Sequence, residues 1–177
     1  MERNGAAEIL PLIRRATVAD AEAAARCHVL CWREAYAGLA DPELLLARTS
    51  DLVRRTERWA SQIEAGLVRW IAVNPDPAAS IDDRVIGFAS PGEARDEDAP
   101  VPLELYAIYA RQAWWGTGLA GRLLDVAIGK EPASLWVFEG NARALAFYAK
   151  HGFAPDGARL YDEAFGLHEI RLVRGER

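Results

Sequence analysis

Three glycines, Gly116, Gly118 and Gly121, crowd the start of the stretch "WWGTGLAGRLLDVAI" (114–128), which otherwise carries the pattern of an amphipathic helix. Each glycine inside a helix costs about 1 kcal/mol relative to alanine, so their crowding calls for something besides helix formation. Backbone N–H groups in the first turn of a helix lack intrahelical acceptors, and the helix dipole favours negative charge there. A strand-like run, "LYAIYA", leads into this turn, and Ala120 stands among the glycines. A phosphate or pyrophosphate would therefore meet main chain with no side chain in the way. The loop lacks the Gly-Lys-Ser/Thr ending of a P-loop and the strand-adjacent first glycine of a dinucleotide fingerprint. Taken alone, a tight turn with close packing explains these glycines equally well.

A second constellation lies in "LWVFEGNARALAFYAKHGF". Its spacing predicts a strand over 135–139 and a helix over 141–151 capped by Asn141. Tyr148 falls seven residues after the cap, two turns along the same face, which brings its hydroxyl back towards the strand ends. Gly152 closes the helix and Phe153 opens the next strand. Read in isolation, Tyr148 is equally a half-buried aromatic with its hydroxyl in water.

The elements that must position these residues follow from periodicity. "ILPLIRRA" reads as a short strand, and Thr17 with Asp20 three residues on marks a helix start. The helix carries Ala24, Cys27, His28, Cys31, Trp32 and Ala35 at spacings of three and four, until Gly38. "DPELLLA" starts another helix with Asp41 as cap and Pro42 at its first position. A further helix begins near Ser50, with Leu52, Thr56, Trp59 and Ile63 on one stripe and Gly66 beyond it. "LVRWIAV" and "RVIGFASP" form a hairpin around the loose "NPDPAASIDD" loop, and "FAPDGARLYD" and "GLHEIRLVR" are late strands. Strands alternating with helices in the second half imply an α/β layout with part of the sheet parallel.

The chain has 177 residues, 51% hydrophobic and 27% charged, which suits one domain, read as 1–177, with a real core. A formal net charge of −5 argues against broad nucleic-acid binding, which needs a basic surface. No apolar run reaches the length of a membrane span, and "MERNGAAEILPLIRR" lacks the hydrophobic centre of a signal peptide, so the expected compartment is the cytoplasm. Cys27 and Cys31 share a helical face without partners for zinc; they read as reduced, buried thiols, and no metal is expected.

Together the two constellations resemble the GNAT superfamily of acyl-coenzyme A dependent N-acyltransferases. In "WGTGLA", Gly118 and Ala120 fit that superfamily's Gln/Arg-x-x-Gly-x-Gly/Ala signature, while Trp115 stands in the Gln/Arg place. The later signature, Asn-x-x-Ala-x-x-Phe-Tyr followed by Gly-Phe, is matched by Asn141, Ala144, Phe147, Tyr148, Gly152 and Phe153. The resemblance implies a GNAT-like mixed sheet of about six to seven strands, splayed at its central strands and flanked by about four helices. It implies acetyl-CoA as co-substrate, its pantetheine arm along Ile108, Tyr109 and Ala110 and its pyrophosphate on the amides of Trp115, Gly116, Thr117, Gly118, Leu119 and Ala120, with Gly121, Arg122 and Asn141 close by. Phosphate attraction would fall to Arg122, Arg111 or Arg143.

On the same resemblance, Tyr148 serves the departing thiolate. Glu104, four residues before Ile108 and hence on the same strand face, is the candidate base; a solvent-exposed rim carboxylate is the competing reading. The acceptor pocket would draw on the first helices, with Trp32 and Tyr36, on Glu104 and Tyr106, and on the late hairpin with Tyr161 and His168. Trp59 is a further candidate for that pocket, although Trp32 and Trp59 both fall on apolar stripes and core packing explains at least one of them; His28 is read as a core residue and His151 as a helix-end cation. The expected function is acetyl transfer to a primary amine of a small molecule, by direct attack in a ternary complex, in a possible homodimer. A non-catalytic acyl-CoA sensor and a protein N-terminal or lysine acetyltransferase are the alternatives.

Overall fold

The computed structural model describes residues 10–175. Ile9, at the start of the expected first strand, and the N-terminal residues considered for a signal peptide lie outside them. Among the described residues seven strands form one mixed sheet: β1 (Leu12–Arg15), β2 (Trp70–Val73), β3 (Val85–Glu93), β4 (Leu103–Ala110), β5 (Ala133–Phe138), β6 (Ala154–Asp162) and β7 (Leu167–Arg174). Their order is β1-β2-β3-β4-β5-β7-β6. Every neighbouring pair is antiparallel except β4 and β5. Among the described residues six α-helices accompany the sheet: α1 (Ala21–Tyr36), α2 (Pro42–Ser50), α3 (Leu52–Glu64), α4 (Ile81–Arg84), α5 (Leu119–Ile128) and α6 (Ala142–Lys150). That exceeds the expected number of about four; α4 is a single turn inside the loop read as irregular.

Local chemistry sets the helix starts. Asp41 Oδ1 accepts from the amides of Glu43 and Leu44, with Pro42 at the first position, where no N–H is missed. Asp51 Oδ1 accepts from Arg54 N at 2.9 Å, so α3 begins just beyond Ser50. Asp20 accepts from both the amide and the hydroxyl of Thr17, which tightens the entry into α1.

The sheet separates two apolar layers. Leu119, Leu123 and Leu124 of α5 and Tyr148 of α6 pack on one face with Leu105, Leu135 and Leu172. Ala24, Cys27, Cys31 of α1 and Trp59 of α3 pack on the other with Ile71 and Phe88. Trimming a fully buried leucine such as Leu123 to alanine costs about 2–5 kcal/mol in such a setting. The two thiols are free and buried, 3.8 Å apart.

Two departures from regular pairing shape the centre. Strands β4 and β5 meet in one register pair, Glu104 with Ser134, and part beyond it. On the other side of β4, Ser90 pairs with Ala107 and Pro91 with Leu105, leaving Tyr106 as a bulge. Leu105, Ile108 and Ala110 consequently pack towards α5, whereas Ala107 and Tyr109 pack towards α1. The expectation that Glu104 shares a face with Ile108 is therefore corrected: it assumed unbroken alternation, and the bulge reverses the parity between them.

Candidate active site

Where β4 and β5 part, a cavity of about 1010 Å³ opens. One end is main chain. Ile108, Tyr109 and Ala110 line it from β4, and Gly116, Gly118, Ala120 and Gly121 line it from the start of α5. Gly116 and Gly118 have φ of 79° and 86°, in the left-handed region that side-chain-bearing residues avoid. A Cβ at either would meet nothing within 4 Å, and one at Gly121 would lie 3.6 Å from the His151 ring. Trp115 and Thr117 amides bond back to Gln112 and Trp114 carbonyls, and Leu119 N leans on Thr117 Oγ1 at 3.4 Å. The amides of Gly116, Gly118, Ala120 and Gly121 have no such acceptor among the described residues. Open donors at a helix start fit the pyrophosphate of acetyl-CoA.

Side chains around this end correct several expectations. Trp115, in the place of the usual Gln or Arg, donates from Nε1 to Ala110 O at 2.8 Å and carries Arg143 over its ring at 3.6 Å. Arg143 lines the cavity, and burial lowers its pKa. Arg122 instead points away, donating to Pro11 O at 2.9 Å, and Arg111 is paired with Glu34 at 2.8 Å. Neither is among the cavity's lining residues, nor are Thr117 and Leu119, the latter a core residue. Lys150, which sequence reasoning missed, is. His151 lines the cavity too, and burial holds its pKa below the usual value, so it is a poorer cation than its helix-end position implied.

Tyrosines occupy the middle. Tyr148 is buried on the cavity wall, and burial holds its pKa well above the usual phenol value. Its hydroxyl has no hydrogen-bond partner among the described residues. Asn141 caps α6 by accepting from Ala144 N at 3.1 Å, while its side chain also borders the cavity. Tyr36 and Tyr109 share a hydrogen bond between their hydroxyls, and burial pushes Tyr109 up to about 12.

The carboxylates divide sharply. Glu104 is 1% exposed and is held by Arg95 through the backbone N–H to Oε2 at 2.9 Å and through the guanidinium. It does not line the cavity. Glu169 does, from β7, where it stands opposite Phe138 of β5 and Leu160 of β6. Burial, reinforced by Asp162 and Glu104 and opposed by Arg95, pushes its pKa up to about 7. Sequence reasoning missed Glu169, whose one signal was alternation with the core residues Ile170 and Leu172 in "GLHEIRLVR".

Trp32 and Tyr106 also line the cavity, as do Phe138 and Phe165. Trp32 and Phe165 meet edge to face at 5.0 Å. Tyr106 donates to Glu93 O and lies under Arg95. Tyr161 is 55% exposed and packs with His168 outside the cavity, so neither joins the pocket assigned to the late hairpin. Trp59 is core, and its Nε1 donates to His28 Nδ1 at 3.4 Å, with burial lowering the His28 pKa. Among the described residues no cluster of His, Cys, Asp and Glu is arranged to hold a metal ion, and no helix is long and apolar enough to cross a membrane.

Comparison with known proteins agrees with this geometry. The sequence model of the Acetyltransferase (GNAT) family matches residues 32–153. A probable N-acetyltransferase of Mycobacterium tuberculosis is 29% identical over 154 residues, covering 82% of this chain and 80% of that protein. The crystal structure of PaiA N-acetyltransferase from Thermoplasma acidophilum, in complex with coenzyme A, superposes with a TM-score of 0.69 at 18% identity, over 94% of this chain and 99% of that one. A ribosomal-protein-alanine N-acetyltransferase from Brucella melitensis gives 0.66 at 22% identity, over 93% and 99%.

Proposed function

The chain belongs to the Acetyltransferase (GNAT) family and is an acyltransferase, and from that premise we propose that it moves the acetyl group of acetyl-CoA to a primary amine of a small molecule by direct attack. The observation that carries this is the parting of β4 and β5 after one register pair, with unbonded amides at one end of the cavity and an aromatic pocket at the other. Bound acetyl-CoA supplies a thioester carbon open to attack. The amides of Gly116, Gly118, Ala120 and Gly121 hold its phosphates, with Arg143 and Lys150 adding positive charge. The exposed β4 edge at Ile108, Tyr109 and Ala110 holds the pantetheine arm, and a backbone N–H near Ile108 polarises the thioester oxygen.

An alkylamine has a pKa near ~10.4 in water, so a base must take its proton. Glu169 is that base in our reading: it borders the cavity, and a carboxylate raised to about 7 is a stronger base than an ordinary one. Glu104, the candidate from the sequence, acts as a positioning residue, fixing Arg95 and adding negative charge beside Glu169. As the amine nitrogen bonds to the acetyl carbon, the C–S bond breaks and the amine proton passes to Glu169. Tyr148 donates a hydrogen bond to the leaving sulfur. Its raised pKa makes full proton transfer uphill from a phenol to a thiolate with reference values near ~10 and ~8.5, so hydrogen bonding is its contribution.

Amine-dependent release of the coenzyme A thiol tests the reading. Thiol release that requires both acetyl-CoA and an amine supports it; binding of acetyl-CoA with no release across a broad amine panel would move the protein to the acyl-CoA sensor that the Trp115 departure favours. We place the enzyme in the cytoplasm as one domain over 1–177, and as a homodimer through the edge strand β6, where Leu160 and Tyr161 are exposed. Light scattering checks the assembly.

A further inference from the structure

On the α2 and α3 side, the cavity is lined by guanidinium groups that no carboxylate pairs among the described residues. Arg48 of α2 and Arg58 of α3 line it, and neither forms an ion pair among the described residues. Arg55 stands between them: it donates to Arg48 O, lies over the Trp32 ring at 4.4 Å, and has a buried Nε without an acceptor. Arg48 lies over the Phe165 ring at 5.6 Å. Burial lowers the Arg55 pKa, and Arg58 and Arg48 lower it further. Guanidinium groups gathered on aromatic faces, repelling one another and left unpaired, are poised for an anion.

These arginines are not part of the phosphate cradle. The α1 and α3 layer packs on the face of the sheet opposite α5 and α6, and Arg143 and Lys150 already serve the α5 end. The opposite sign is in the same cavity: Glu169 and Asp162 line it, and Asp162 is fixed by accepting from the amides of Ala164 and Phe165. The cavity is therefore bipolar, with carboxylates near the tyrosines, guanidiniums on α2 and α3, and Trp32 and Phe165 between.

We infer that the acceptor is a primary amine that itself carries a carboxylate, its ammonium drawn to Glu169 and Asp162 and its carboxylate held by Arg48 and Arg58. The inference rests on the acetyl-transfer reading and deepens it by naming the substrate class. A guanidinium pairs with a carboxylate through two parallel N–H···O bonds, a geometry that a carboxamide or a hydrogen does not replace. The aromatic walls then favour an apolar or aromatic side chain on the same molecule.

Matched series test it: L-phenylalanine, L-leucine and L-methionine, each beside its carboxamide and its decarboxylated amine, assayed by thiol release from acetyl-CoA. The expected result is a kcat/KM at least about tenfold higher for the acids, appearing mainly in KM. The Arg48→Ala/Arg58→Ala double variant should erase that ratio, and Arg58→Glu should turn it towards the amines. Equal or better turnover of the uncharged-end compounds overturns the carboxylate subsite while acetyl transfer stands. If no amine is acetylated although acetyl-CoA binds, acetyl transfer fails, and calorimetry with N-acetyl-L-phenylalanine and its amide decides the subsite separately. Tighter binding of the acid, lost in the double variant, supports it; equal binding overturns it.

Discussion

The two ends of the cavity are made of different material: the α5 end presents main chain, and the α1–α3 end presents side chains. At the first, left-handed Gly116 and Gly118 border the space with amides that have no acceptor among the described residues, so what binds is fixed by backbone shape. At the second, Trp32 and Phe165 belong to an aromatic cluster with Tyr36 and Phe138, and Arg48 and Arg58 reach the space from α2 and α3, so what binds is fixed by side chains. A shared coenzyme and a variable acceptor call for that division. It also separates the consequences of mutation: changes at the glycine end should read out in coenzyme affinity, and changes deeper along the cavity in rate or acceptor choice.

The largest expected effect is on rate. Glu169→Gln should lower kcat by about 10²–10⁴ while acetyl-CoA still binds, as measured by steady-state kinetics beside calorimetry. In the parent, kcat/KM should rise with pH through about 7 as the carboxylate loses its proton, and the variant should lack that limb. A parent-like profile in Glu169→Gln would return the role of base to another group. Next, Gly118→Val places a β-branched residue at φ 86°, a conformation costing about 1–2 kcal/mol, and turns a side chain onto the phosphate path. Acetyl-CoA affinity should fall by about 100-fold; an unchanged dissociation constant would mean the cradle lies elsewhere. Tyr148→Phe should lower kcat by about tenfold and leave coenzyme affinity within a factor of about two, because it removes one hydrogen bond of roughly 1–1.5 kcal/mol.

The smallest effect is on stability. Glu169 has a folded-state pKa raised to about 7 from 4.5, so the folded chain holds this proton more tightly than the unfolded one. Lowering the pH from 8 towards 5 therefore adds stability from this group, and raising it through 7 removes it. The difference is on the order of 1 kcal/mol once solvent screening of a partly exposed group is allowed for, and Glu169→Gln should flatten it in denaturant titrations at the two pH values.

The same division explains what the sequence disclosed. Backbone-built features leave compact local marks: the glycines around 116–121 and the capped helix from Asn141 to Tyr148 announced the α5 end of the cavity and the sheet around it. The aromatic end is assembled from α1, α2, α3, the turn after β6 and β7, and no short spacing joins Arg48 to Phe165 and Glu169. The misplacement of Glu104 relative to Ile108 has a single cause, a bulge at Tyr106 that leaves no mark in "LELYAIYA". Arg122 likewise fits the helix pattern near the glycines, yet its partner, Pro11, comes from the far end of the chain.

The central claim, that the parted strands and the amides before α5 form an acetyl-CoA site, is tested most directly by thermal unfolding with and without acetyl-CoA. A ligand at 100 times its dissociation constant stabilises the native state by about 2.7 kcal/mol, so the parent should show a clear upward shift and Gly118→Val a much smaller one. No shift of the parent at millimolar acetyl-CoA would contradict the account and leave the glycine loop a simple turn.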